Sequence, residues 1–133
     1  MPNTIRLFLT IAAAAFALAS SVHGGVLLAG WEHSKAATAE GVIAAVLALG
    51  LIASWISPAR VRGFALAVMS FALLGTLVGA FTIAVGIGPR TAADIAFHAL
   101  LLVGLAAGLF ATWRTRSQAA ERIKHSSVEG RRT

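Results

Sequence analysis

The chain reads as all-α: an integral membrane four-helix up-down bundle with both termini in the cytoplasm. Three observations predict it. Hydrophobic residues make up 58% of the 133 positions and charged residues only 12%. A soluble domain carries about a quarter charged residues, and half that share cannot coat a water-facing surface. The apolar residues are gathered into four long runs, and the basic residues lie almost entirely on one side of those runs.

Crossing about 30 Å of hydrocarbon takes roughly 20 residues at about 1.5 Å each. Residues 7–29, 37–56, 64–87 and 92–113 meet that length without an internal Lys or Arg. Ser57-Pro58 stops the second run, because proline lacks a donor and disfavours helix at the residue before it. Gly86-Ile87-Gly88-Pro89 ends the third. Thr91-Ala92-Ala93-Asp94 reads as a capping box that starts the fourth. The runs are Ala- and Leu-rich with no period-two alternation, which argues against membrane strands. Short connections make consecutive helices antiparallel neighbours in one domain, 1–113. Gly75/Gly79 and Gly104/Gly108 place small residues one turn apart, a spacing that permits close helix packing within the chain or between copies in a homo-oligomer.

Orientation follows from the eleven Lys and Arg. Arg6, Arg60, Arg62, Arg114, Arg116, Arg122, Lys124, Arg131 and Arg132 fall on one side; Lys35 and Arg90 fall on the other. The nine-to-two split assigns the richer side to the cytoplasm and the chain to the cell inner membrane. The formal charge of +6 and pI near 11.7 therefore report topology, and nucleic acid is not an expected partner. Residues 114–133 are expected to be a basic cytoplasmic tail, helical for a turn or two and then disordered. In the alternative parse, residues 1–6 and 7–16 are the charged and apolar regions of a signal peptide, with Ala17-Leu18-Ala19 as its cleavage site. The apolar sequence continues to Trp31, which favours an uncleaved span. The absence of Cys removes disulfides, thiolate metal sites and cysteine nucleophiles.

Ionisable groups in or beside a span are costly and mark candidate sites. His23, Glu32, His33, Glu40, Arg90, Asp94 and His98 all lie toward the extracytoplasmic end. With Gly30, Ser34 and Thr91 taken as helix ends, His23, Glu40 and His98 fall six or seven residues in, about 9–10 Å deep. Thr82 lies at the matching level of the third run. His23, Glu40 and His98 are thus the candidate ligand or metal residues; Glu32, His33, Thr82, Arg90 and Asp94 are candidates for the rim or second layer. Simpler roles exist for several. Asp94 serves a capping box, Glu32 and His33 a wet loop, and Arg90 an interfacial anchor.

Two His and a carboxylate can hold a divalent metal. Two His on facing helices can hold haem, with Gly24 and Gly25 giving room for the macrocycle. A small polar or quinone-like ligand is the third option. No hydrolase-elbow, phosphate-loop or dinucleotide pattern is present. The expected function is therefore a non-enzymatic ligand- or metal-binding bundle. The alternatives are a membrane redox protein or metal- or haem-dependent enzyme using the same residues, and a structural subunit of a larger membrane complex.

Overall fold

The computed structural model describes residues 2–129, with side chains through residue 114. The described chain is all-helical: α1 (Pro2–His23), α2 (Ser34–Ile56), a single 3-10 turn (Pro58–Arg60), α3 (Val61–Ala84) and α4 (Ala92–Glu129). All four α-helices are long and apolar enough to cross a membrane, the fourth over Ala92–Arg114.

Two helices end earlier than the sequence reading has them, for the same reason. α1 ends at His23 rather than continuing to residue 29. Val26 N–H bonds Ser21 O at 3.0 Å and Gly25 N–H bonds Val22 O at 3.0 Å, while Gly25 has φ +73. This is a Schellman stop, in which a glycine takes the left-handed conformation that a side chain resists. α3 ends at Ala84 rather than at residue 87. Ile87 N–H bonds Thr82 O at 2.9 Å, Gly86 N–H bonds Ile83 O at 3.1 Å, and Gly86 has φ +82. Apolar runs continue past both stops, so hydropathy alone overshoots them. The role expected of Gly24 and Gly25, leaving space for a macrocycle, gives way to this helix termination.

Helical backbone in α4 continues to Glu129, well beyond the one or two turns expected past Trp113. Gln, Ala, Glu, Arg and Lys in this stretch are good helix formers. The part of the expected disordered tail at 130–133 lies outside the described residues.

A narrow core joins the four helices through Leu9 and Phe16, Ile43 and Leu47, Ala65, Met69 and Ala72, and Leu105. Glycines set the close approaches. A Cβ at Gly75 would stand 2.6 Å from Ile43 Cδ1, and one at Gly108 would stand 2.6 Å from Phe8 Cζ. Much of the outer surface is apolar: Leu7, Leu100 and Val103 are 61%, 73% and 70% exposed. Water would penalise such a surface and lipid would not.

At one end of the molecule, arginines reach backbone carbonyls. Arg6 Nη2 donates to Ser54 O at 2.7 Å and lies 4.0 Å from the Trp55 ring centroid. Arg62 Nε donates to Thr112 O at 2.9 Å. The other end, formed by residues 24–33 and 85–91 and the adjoining helix turns, carries the candidate site.

Candidate functional site

His23 is the last residue of α1, and the segment after it folds back over it. His33 N–H bonds His23 O at 2.8 Å. His33 also caps α2, with its Nδ1 accepting from Ala36 N–H at 3.2 Å. The depth expected of His23 from a helix end at residue 30 is therefore corrected: the covering loop, rather than six further residues of helix, encloses it.

His23 is 4% exposed and has a carboxyl group on each ring nitrogen. Nδ1 lies 2.8 Å from Glu40 Oε2, and Nε2 lies 3.1 Å from Asp94 Oδ1. The contact joins α1, α2 and α4 in one network. An imidazolium can donate to both carboxylates; a neutral ring requires one of the carboxyls to carry the proton. Either arrangement needs at least one proton on the three groups beyond a neutral ring and two carboxylates.

Asp94 performs two tasks. Its Oδ2 accepts from Thr91 N–H at 3.1 Å and from Thr91 Oγ1 at 2.6 Å. Thr91 Oγ1 in turn accepts from Asp94 N–H at 3.1 Å. This is a reciprocal helix cap, and it holds Asp94 Oδ1 free for His23.

His98 does not join this network through a hydrogen bond. Its Nδ1 donates to Asp94 O at 2.8 Å, one turn back on the same helix. A carbonyl accepts only, so the proton of a neutral His98 resides on Nδ1 and its lone pair on Nε2. Nε2 lies against α3, where a Cβ at Gly79 would stand 2.7 Å away. Thr82 donates from Oγ1 to Gly79 O at 2.7 Å. The structure thus brings His23 and Glu40 together, adds Asp94 as a direct partner, and sets His98 and Thr82 on a neighbouring wall.

That wall bounds a cavity of about 160 Å³ between α2, α3 and α4, lined chiefly by apolar atoms. Glu40, Thr76, Thr82 and His98 contribute its polar groups, with Lys35 and His33 also among the lining residues. Glu40 is 5% exposed, and its Oε1 has no hydrogen-bond partner. A second hollow of about 190 Å³ is lined by His23, Glu32, His33, Arg90 and Asp94, among others. Arg90 Nη1 lies over Gly86. Glu32 packs its Cγ over Gly25, and the backbone N–H groups of Gly30 and Glu32 hold its exposed carboxyl below the usual glutamate range.

The expected metal and haem arrangements fit these positions poorly. Among the described residues, no group of three or more His, Cys, Asp or Glu is arranged to hold a metal ion. Both nitrogens of His23 are engaged by carboxyl groups, so neither offers a lone pair to iron or zinc without breaking the network. Sequence reasoning placed Asp94 on the rim or in the second layer, as a cap or as an acceptor for an imidazole N–H, without identifying that imidazole as His23. The four-residue spacing from Asp94 to His98 was the visible signal, and it pointed to a bond within α4 rather than one to α1. Comparison with protein-family models, with curated proteins and with solved structures gives no match.

Proposed function

We propose that this chain is a non-enzymatic multi-pass protein of the cell inner membrane. In this reading it is an up-down bundle with both termini cytoplasmic, and it binds a small ligand at the polar end near the extracytoplasmic face. One observation carries the reading. Glu40 is buried, and one carboxylate oxygen is bonded to His23 while the other lacks a partner beside a cavity. An unsatisfied buried acceptor costs roughly 1–3 kcal/mol, and a ligand that donates to it recovers that cost. The apolar lining suits the body of such a molecule. The positive-inside split supports the orientation, and the arginines bonded to carbonyls at the opposite end agree with it.

The test is purification of the full chain in mild detergent, followed by native mass spectrometry, an absorption spectrum and metal analysis. The expected result is a small molecule retained by the wild type and lost from Glu40→Gln, with no Soret band and no stoichiometric metal. If nothing is retained and Glu40→Gln is equally or more stable, the binding reading is wrong. A Soret band lost in both His23→Ala and His98→Ala would instead establish the haem alternative.

A further inference from the structure

The chemistry of the cavity identifies a ligand class, an inference that rests on the binding reading above. We infer that the cavity takes a small primary ammonium ion on an apolar body, with its N–H groups donating to Glu40 Oε1 and His98 Nε2.

Three observations lead there. The first is the hydrogen-bond inventory of the walls. The Thr76 hydroxyl donates to Ala72 O at 2.7 Å and the Thr82 hydroxyl to Gly79 O at 2.7 Å. Both hydroxyls therefore spend their donors on the backbone. Glu40 Oε1 has no partner, and Nε2 of a neutral His98 carries a lone pair, because Nδ1 donates to a carbonyl. The inner polar groups are acceptors, so the complementary ligand group is a donor.

The second is charge. With an imidazolium at His23 donating to both carboxylates, His23, Glu40 and Asp94 carry a net charge of −1, and their side chains are 5%, 6% and 6% exposed. A buried uncompensated charge is expensive. A cation at Glu40 Oε1 neutralises the group, which a neutral alcohol does not. Lys35 lines the same cavity but is itself exposed, and it makes no bond to Glu40.

The third is size. An apolar cavity of about 150 Å³ takes a benzene-sized molecule, and this one measures about 160 Å³. The part of the ligand seated in it is therefore a chain of a few carbons or a single ring.

Isothermal titration of the full-length protein in detergent with n-butylammonium chloride tests the assignment. Butan-1-ol serves as the neutral donor of similar shape, and tetramethylammonium as a cation without N–H groups. Charge-assisted hydrogen bonds predict saturable binding of butylammonium, weaker by about tenfold or more for both comparison probes. Glu40→Gln should abolish binding. Gly79→Ala leaves Glu40 intact but places a methyl against His98 Nε2, and should weaken binding by about tenfold. This second variant keeps the test decisive if Glu40→Gln folds poorly. Failure of the folded wild type to bind butylammonium overturns the ammonium assignment, as does equal binding by tetramethylammonium. If butan-1-ol alone binds, and does so only with Glu40 present, the ammonium class falls while the binding reading stands. If Lys35→Met and Glu40→Gln lose the same stability with no probe added, the chain's own ammonium is the occupant and the inference is wrong.

Discussion

Each ring nitrogen of His23 faces a different carboxyl group, which makes this histidine the hub of the polar end. Removing it leaves Glu40 and Asp94 buried without their shared partner. Breaking a buried pair in this way costs about 3–5 kcal/mol. His23→Leu is therefore expected to lose stability on that scale in detergent unfolding, and the double variant with Glu40→Leu should recover part of the loss. Recovery is the informative readout, because it separates stranded charge from lost packing. Asp94 is distinguishable from Thr91 by the same measurement. Thr91→Ala removes one cap and should cost about 1 kcal/mol. Asp94→Ala removes the cap and the His23 partner together and should cost clearly more; equal losses would mean that the His23–Asp94 bond contributes nothing.

Helix ends and helix contacts depend on single glycines. Gly25 terminates α1 with φ +73, and a Cβ there would meet Glu32 Cγ at 2.9 Å. A left-handed non-glycine residue costs about 1–2 kcal/mol, so Gly25→Ala should lower thermal stability by at least that amount. It should also loosen the loop covering His23, read as faster amide exchange over residues 24–33. The paired glycines of α4 make a second contrast. A Cβ at Gly108 runs into Phe8, whereas one at Gly104 meets nothing within 4 Å. Gly104→Ala should be neutral or slightly stabilising, since alanine is the better helix former, and Gly108→Ala should destabilise. Gly75 and Gly79 face Ile43 and His98, so three of these four glycines serve packing inside the chain. Gly104 does not.

For the whole molecule, the outward apolar surface and the four span-length helices predict that the protein stays with the membrane through alkaline carbonate extraction. A reporter fused to the C-terminus should be active only in its cytoplasmic form; an outside result would invert the orientation and move the polar end to the cytoplasmic face. Leu9 and Phe16 are 0% and 2% exposed in the shared core, so a cleavage after Ala19 would remove core side chains. The membrane-inserted protein is accordingly expected to keep its N-terminal residues, which intact-mass measurement reads directly.

Hydropathy and charge by themselves determined the helical class, the number of span-length helices, and the gathering at one end of the histidines and carboxylates in or beside them. Those properties follow from the cost of placing polar groups in hydrocarbon, which composition along the chain records directly. The Thr91–Asp94 cap was equally legible, because its spacing is local. Tertiary structure decided which carboxyl groups reach His23, and that His98 faces α3 instead. Those outcomes depend on where α1 stops and how each helix is turned about its axis. The stop at Gly25 shifts His23 from mid-helix to a helix end, and the rotation that seats Gly79 against His98 holds that imidazole beside the cavity. Neither is fixed by spacing within a run, because residues 71 positions apart meet only after the helices have packed.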